Sequence, residues 1–102
     1  MIIYNTTFHT HTSTEQDFLK WLREEYIPAA VRDGRLSEPR LTLVLNAEES
    51  DGRNYSLQFR ADGLDALRDW YAEVGDDLLA ALPSRFGDKV AGFTTLLEEV
   101  GL

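Results

Sequence analysis

The apolar residues of this 102-residue chain follow two periods that alternate in a fixed order. A period of two residues, typical of strands, covers 2–10, 40–47, 54–61 and 89–100, and a helical period covers 13–34 and 62–87. The order is strand, helix, strand, strand, helix, strand. With right-handed crossovers it predicts an α+β, ferredoxin-like sandwich, in which both helices cover one face of a four-stranded antiparallel sheet.

The first helix contains signals for its start, for an internal break and for its end. Ser13 and Gln16 have the spacing of a capping box, which predicts that the helix begins there. Pro28 lacks an amide proton, so we expect the helix to kink or restart near Ile27. It should then continue until Gly34 ends it.

The second helix and the central hairpin carry similar signals. Gly75, followed by an aspartate, predicts a break in the second helix, and Pro83 should shorten it before Gly87 ends it. Between the second and third strands, Asp51 and Gly52 are typical of a hairpin turn with a positive backbone angle.

Size and charge restrict the class of protein. At 102 residues the chain should form a single domain over 1–102. The formal charge of −8 and the lack of a basic stripe argue against a nucleic-acid partner. No run of about 18 apolar residues and no secretory signal is present, so we expect a cytoplasmic protein without a membrane partner. The absence of cysteine excludes disulfides and thiolate catalysis.

The sheet face away from the helices carries a mixture of side chains. It is too apolar for a face that meets only water and too polar for a sealed core, so we expect a second copy to cover it in a homodimer. A solvent-facing sheet with scattered apolar residues is the alternative. The predicted members are Ile3, Asn5, Thr7, His9, Thr42, Val44, Asn46, Ser56, Gln58, Arg60 and one side of the last strand.

The whole chain resembles an uncharacterised bacterial family that is classed as a domain of unknown function, number 4286. The resemblance rests on MIIYNTTFH, EEYIPAAVRDGRL, PRLTLVL, YSLQFR, WY and SRFGDKVAGFTTLLEEV. It implies a ferredoxin-like fold that pairs as a dimeric α/β barrel, and no established activity. Similar barrels include cofactor-free monooxygenases, isomerases and haem-degrading or haem-binding enzymes, although a fold does not determine a function.

The two histidines are the first candidates for chemistry. His9 and His11 lie two residues apart and should point the same way from the first strand. A metal site needs a third or fourth ligand, and no acid has a recognisable ligand spacing, so we expect no metal site. Ordinary hydrogen bonds at the surface or at a dimer rim are the favoured interpretation of both rings.

Other candidates could line a cleft between the helices and the sheet. Asn5 lies in mid-strand, where a buried amide serves as a structural bridge or as a ligand contact. Helix aromatics usually pack the core, yet a flat apolar ligand would fit a cleft lined by them. These aromatics are Trp21, Tyr26, Trp70 and Tyr71.

Remaining charged residues are interpreted as surface. We expect Arg60 to pair with nearby acids such as Asp62, and the acidic pairs 48–49 and 98–99 to be solubilising. No phosphate loop or catalytic triad spacing is present. The sequence therefore predicts a homodimeric binding or interaction module without a cofactor. The alternative is a cofactor-free enzyme, monooxygenase-like or isomerase-like, that acts on a small apolar substrate with His9 as a proton acceptor.

Overall fold

The computed structural model describes residues 1–45 and 51–102, and there the predicted order of elements is confirmed. The sheet order is β2-β3-β1-β4 with antiparallel neighbours, which is the ferredoxin-like arrangement. No helix in these two ranges is long and apolar enough to cross a membrane. The strands are β1 (Ile2–His11), β2 (Ser37–Leu43), β3 (Gly52–Ala61) and β4 (Val90–Glu98). Helix α1 joins Glu15–Trp21, Leu22–Tyr26 and Ile27–Val31, and helix α2 joins Leu64–Trp70, Tyr71–Gly75 and Asp76–Phe86.

The core lies between the two helices and one face of the sheet. Alternate residues of β1 and β3 point into it, as the period of two predicts, and their rings meet the aromatic side chains of the helices. Tyr4 packs edge to face on Trp70 with ring centroids 5.3 Å apart, and Phe8 does so on Phe18 at 5.1 Å. These contacts hold the helices on the sheet and add to the stabilisation that burial of the rings provides.

The start of α1 differs from the prediction. Ser13 lies within a short 3₁₀ turn over Thr12–Thr14, and α1 begins after this turn at Glu15. The ring Nδ1 of His11 accepts a hydrogen bond from the Ser13 amide at 3.1 Å and so caps the 3₁₀ turn, whereas the N-cap residue of α1 is Thr14, which makes no side-chain cap hydrogen bond. The predicted capping box is therefore wrong.

The predicted break near Ile27 is a widened turn rather than a bend. Residues Leu22–Tyr26 form a π-turn, in which the Ile27 amide donates to the Leu22 carbonyl. Pro28 has no amide proton to offer to the preceding turn, and the wider turn accommodates this loss. The helix ends at Val31, before Gly34 turns the chain with a φ of +83°.

In α2 the predicted break is likewise a π-turn, which ends at Gly75. A Cβ atom at this glycine would lie 2.6 Å from Cζ3 of Trp70, so close packing of the indole requires glycine there. Pro83 lies inside Asp76–Phe86, so the prediction that it shortens the helix is wrong; one missing backbone hydrogen bond is tolerated. Gly87, with a φ of +61°, ends the helix as expected.

The predicted geometry of the hairpin between β2 and β3 is only partly correct. The two strands pair antiparallel, but Gly52 opens β3 without a positive φ. The close approach of β1 explains why position 52 is a glycine, because a Cβ there would lie 2.0 Å from the carbonyl oxygen of Thr10. Residues 46–50 lie outside the described residues. The predictions for Asn46 and for the acidic pair at 48–49 therefore also lie outside them.

Candidate functional site

The face of the sheet that the helices leave uncovered is called the open face below. Its members alternate with the core residues on all four strands. They are Ile3, Asn5, Thr7, His9, Arg40, Thr42, Asn54, Ser56, Gln58, Arg60, Ala91, Phe93, Thr95 and Leu97. Phe93 is 64% exposed and Leu97 43% exposed, which is a large apolar surface for a small sheet face.

A hydrogen-bonded polar group occupies the centre of the open face. Asn5 is only 8% exposed; its Nδ2 donates to the Thr7 hydroxyl at 3.2 Å, and its Oδ1 accepts from the Ser56 hydroxyl. Its side chain therefore bridges β1 and β3, which is the structural role that a buried amide can fill.

His9 lies further along the open face and is engaged at both ring nitrogens. Nδ1 lies 2.7 Å from Oδ1 of Asn54, and Nε2 lies 3.2 Å from Oδ1 of Asp51. Both partner atoms are oxygens, so whichever ring nitrogen carries the proton has an acceptor to which it donates. His11 bonds instead to Ser13, and no cluster of three metal-ligating residues is found within residues 1–45 and 51–102.

Arg60, at the other end of the open face, pairs with two acids. Its Nε lies 2.8 Å from Oε2 of Glu38, and its Nη2 binds Glu99. The prediction placed Asp62 in this role, which neither of these contacts supports. The acids come from β2 and from the segment after β4, because the register brings both ends beside Arg60.

Strand β4 is apolar on both sides and exposed on both. Leu97 lies on the open face, and its neighbour Leu96 points to the helix side, where it is 50% exposed. An edge strand with large apolar groups on two faces is unusual for a sheet that meets only water. Each side of β4 therefore marks a surface that could bind a partner or a ligand.

On the helix side, a groove runs between the first half of α2 and β4. Its cavity has a volume of about 470 Å³, which is within the range of small-molecule sites. The walls are mainly apolar, and they include a tyrosine from β1 and another from α2. The residues that line this groove are Tyr4, Leu64, Leu67, Arg68, Tyr71, Ala72, Asp76, Thr94 and Leu96.

Three phenols lie close together at the groove, where Tyr4 and Tyr71 belong to the lining and Tyr26 is fully buried. The hydroxyl oxygens of Tyr4 and Tyr26 are buried and have no hydrogen-bond partner among the described residues. Burial raises the pKa of Tyr26 strongly, and the neighbouring phenols of Tyr4 and Tyr71 add to the rise. Burial also raises the pKa of Tyr71, with smaller contributions from Tyr4 and Asp76. Tyr26 and Tyr71 therefore remain neutral phenols at physiological pH.

The structure divides the six residues that the sequence nominated for a cleft. Tyr71 lines the groove, and Trp70 and Tyr26 are fully buried behind it. Trp21 lines a different, charged cavity of about 580 Å³ on the outer side of the helices, beside an ion pair of Arg85 with Glu25 at 3.4 Å. Asn5 and His9 lie on the open face, on the other side of the sheet.

Sequence reasoning missed several residues of the groove. The alternation along β1 puts Tyr4 on the face opposite Ile3 and Asn5, under the helices, and the alternation along β4 puts Leu96 on the side that faces away from Phe93. The structure places both residues on these sides. Together with the apolar stripe of Leu64, Leu67 and Tyr71 on α2, they are the residues from which the groove could have been predicted. What was lacking is the distance between α2 and β4, which decides whether the space is filled or open.

The fold and the groove place this chain among ferredoxin-like proteins. The chain matches the family described as a domain of unknown function, DUF4286, over residues 1–100, and it belongs to that family. No curated protein matches the chain in sequence.

Several solved structures share the fold. One is a Deinococcus radiodurans protein assigned provisionally to the antibiotic biosynthesis monooxygenases, with a TM-score of 0.73 and 18% identity over 100% of this chain and 95% of that one. Another is SnoaB, a cofactor-independent oxygenase from Streptomyces nogalater, with a TM-score of 0.61 and 14% identity over 99% of this chain and 95% of that one. A third is described as a dimeric ferredoxin-like protein from an uncultured marine organism. It has a TM-score of 0.60 and 17% identity over 100% of this chain and 99% of that one. At such identities the likeness shows the fold alone.

Proposed function

We propose that this chain is a homodimeric binding module, in which two copies pack their open faces together and each copy binds a small, largely apolar molecule in its groove. The observation that carries the binding function is the groove itself. It has the volume of a small-molecule site, mainly apolar walls and a few polar residues in its lining. Because the groove and the open face lie on opposite sides of the sheet, pairing leaves both grooves accessible.

The apolar surface of the open face supports the pairing of two copies. Four strands of seven to ten residues, about nine on average, lie side by side and give a face of ~30 Å by ~19 Å, or about 1,100 Å² for two copies. A specific interface needs about 1,000 Å², so this face is large enough. Phe93 and Leu97 would lose their exposure to water, and Asn5 already has its hydrogen bonds within one copy.

The distribution of charge supports the same partner. The chain has eighteen acidic residues, yet β1 and β3 contain none. Two copies of a chain with a net charge of −8 would repel each other through most other surfaces, and the centre of the open face avoids this cost. One of the similar structures is described as dimeric, which agrees with this assembly.

We extend the proposal to the organisation and location of the protein. The chain acts as one domain over 1–102, with the sheet as its common platform. The cysteine-free sequence is compatible with the reducing cytoplasm. Nucleic acid is not a partner, because the net charge of −8 opposes binding to phosphates.

A second candidate is a cofactor-free oxygenase, which the name of SnoaB favours. Such an enzyme must remove a proton from its substrate, and the ionisable lining of the groove consists of Tyr4, Arg68, Tyr71 and Asp76. The raised pKa of Tyr71 makes it a poor base at neutral pH, so Asp76 would have to take that role. His9, the expected proton acceptor, lies on the other side of the sheet. Binding without chemistry is therefore the better supported function.

Two adjacent leucines allow a crossed test of the binding site and the interface. Leu96→Asp places a charge in the groove, and Leu97→Asp places the same charge on the open face. The neutral probe N-phenyl-1-naphthylamine, whose fluorescence increases when it leaves water, reports binding. We expect Leu96→Asp to weaken probe binding at least tenfold without changing the mass in sedimentation, and Leu97→Asp to do the reverse. Unchanged probe binding in Leu96→Asp would exclude the groove.

The oxygenase alternative has its own readout. With 1-naphthol as an electron-rich probe, one molecule of O₂ would yield 1,4-naphthoquinone and water, and an oxygen electrode would record the uptake. We expect no uptake above the background of the buffer. Steady uptake that is proportional to the protein, and lost in Leu96→Asp, would establish the enzyme instead of the simple binding module.

A further inference from the structure

The two edges of the sheet are β2 and β4, and only β2 is protected against pairing with another strand. Pro39, a φ of +51° at Glu38 and a shift of register between Ser37 and Arg40 interrupt β2. Proline, charged side chains and bulges are the devices that usually prevent an exposed edge from adding a strand. By contrast, β4 contains no proline and no charge over residues 90–97, and its register with β1 is continuous. The edge of β4 is therefore open to a further strand.

The register shows which backbone groups of β4 face outward. The Glu99 amide donates to the Met1 carbonyl at 3.1 Å, and the same antiparallel register continues along β4. In such a pair, every second residue exchanges both hydrogen bonds with its neighbour, and the residues between them point their amide and carbonyl groups the other way. Odd-numbered residues of β4 therefore bond to β1, whereas Gly92, Thr94 and Leu96 present their backbone groups at the outer edge.

The same residues border the groove. Thr94 and Leu96 line it from the side of β4, and Leu64 and Leu67 line it from α2. A strand that paired with β4 would lie ~4.8 Å from it, with every second side chain on the helix side of the sheet. In an antiparallel pair, the added residues opposite Thr94 and Leu96 would bond to the backbone of β4 and direct their side chains into the groove.

The charge around the groove restricts the kind of strand that fits. Helix α2 flanks the groove and is acidic: it carries Asp65, Asp69, Glu73, Asp76 and Asp77 against Arg68 and Arg85. If β4 paired with β4 of a second copy, two such helices would approach each other at a cost in charge repulsion. A segment with basic residues gains from the same field. The charge therefore favours a basic segment of a different chain over a second copy.

Building on the proposed binding function, we infer that β4 binds an extended segment of another protein as an antiparallel fifth strand. Alternate apolar side chains of this segment enter the groove, and basic residues flank them. Main-chain hydrogen bonds provide the affinity in this mode of recognition, and pockets for alternate side chains provide the specificity. Phe93 and Leu97 lie on the opposite face of β4, where they remain available to the second copy.

A short synthetic peptide tests the inference on the full chain by isothermal titration calorimetry. It is capped at both ends, has a lysine at each end, and contains three threonines that alternate with valine, leucine and valine. We expect a dissociation constant in the micromolar range and displacement of N-phenyl-1-naphthylamine, because the apolar side chains and the probe occupy the same groove. Exchange of both lysines for glutamates should weaken binding by about fivefold or more at low salt.

Backbone methylation distinguishes strand addition from unspecific apolar binding. Methylation of the valine and leucine amides removes the donors that face β4, and it should weaken binding by about tenfold or more. The isomer that is methylated at the three threonine amides, which face away from β4, should bind within about threefold of the parent peptide. Equal affinities of the two isomers, or the reverse order, would overturn the inference.

A variant of the chain tests the same bonds from the other side. Thr94→Pro removes an outward amide proton and no hydrogen bond to β1, and proline is tolerated at such a position of an edge strand. It should weaken binding of the unmethylated peptide by about tenfold or more. Thr94→Val retains the amide and should bind within about threefold of the unmodified chain. Equal binding by both variants would contradict pairing at Thr94, and the methylated peptides test these bonds without altering the protein.

The outcomes separate this inference from the proposed function. If the naphthylamine probe binds and the peptide does not, the inference is refuted and the small-molecule function stands. If the peptide binds with the expected effect of methylation and the probe does not bind, the inference stands and the small-molecule function fails. A peptide that binds without displacing the probe would lie outside the groove, which would overturn the inference.

Discussion

The indole Nε1 of Trp70 donates a hydrogen bond to the carbonyl oxygen of Ala30 at 2.9 Å, and both residues are fully buried. Ala30 lies in the last turn of α1, where the carbonyl groups have no partner within the helix. The bond therefore completes the end of α1 with a side chain from α2 and fixes the two helices relative to each other.

The first prediction concerns this bond. Trp70→Phe should lower the free energy of unfolding by about 2–3 kcal/mol, because it loses a hydrogen bond and leaves a smaller ring in a packed site. Trp21→Phe is the control, since Trp21 is also buried but donates no hydrogen bond to another described residue. Urea unfolding should show that Trp70→Phe costs about 1 kcal/mol more. Equal costs would mean that the bond contributes nothing.

The second prediction compares two glycines. Gly52→Ala should destabilise the protein by about 3 kcal/mol or more, because the new Cβ would collide with the backbone of Thr10. Gly63→Ala places a Cβ where no atom lies within 4 Å, at a backbone angle that any residue adopts, and it should change stability by less than about 1 kcal/mol. Thermal unfolding followed by circular dichroism measures both. Similar stabilities would show that β1 and β3 do not approach as described.

The third prediction uses the raised pKa of Tyr26. Below pH 10 the phenol is protonated in both states; above pH 10 the unfolded chain loses the proton and the folded chain keeps it. Burial, the main cause, therefore makes stability fall with rising pH, by about 1.4 kcal/mol at one unit above the unfolded value. Between pH 9 and 11, the free energy of unfolding of Tyr26→Phe should therefore fall by about 1.4 kcal/mol less than that of the unmodified chain. Parallel curves in urea unfolding would contradict the burial of this phenol.

The fourth prediction concerns the two open-face residues that the sequence nominated for a ligand site. Asn5→Ala and His9→Ala should each leave the affinity for N-phenyl-1-naphthylamine within twofold, since both side chains lie across the sheet from the groove. Asn5→Ala should still cost about 1 kcal/mol in stability, because its bridge between Thr7 and Ser56 is lost. A tenfold loss of probe binding in either variant would move the ligand to the open face.

The order and faces of the elements followed from the sequence because periodicity reports burial directly. Tyr4 and Leu57 alternate with Ile3 and Ser56, and the structure places each on the predicted side. Local caps were less predictable. A 3₁₀ turn that His11 caps precedes α1 and moves the N-cap of the helix from Ser13 to Thr14, and sequence spacing does not detect such a shift.

The candidate site was predicted only in part for a similar reason. Helical spacing identifies which aromatics face the sheet, but it does not show how far α2 stands from β4. Tyr71 was therefore found, whereas Leu96 and Tyr4 were not recognised as its neighbours in the groove. That the hydroxyls of Tyr4 and Tyr26 have no partner among the described residues depends on three-dimensional distances, and no pattern in the sequence predicts it.

Sedimentation equilibrium of the unmodified chain at micromolar concentration tests the assembly most directly. The account predicts twice the chain mass of 11.6 kDa, and a shift towards the single mass in Phe93→Asp, which charges the most exposed ring of the open face. Leu64→Asp, on the helix side, should retain the double mass. A mass of 11.6 kDa for the unmodified chain up to 100 micromolar would contradict the pairing of the open faces.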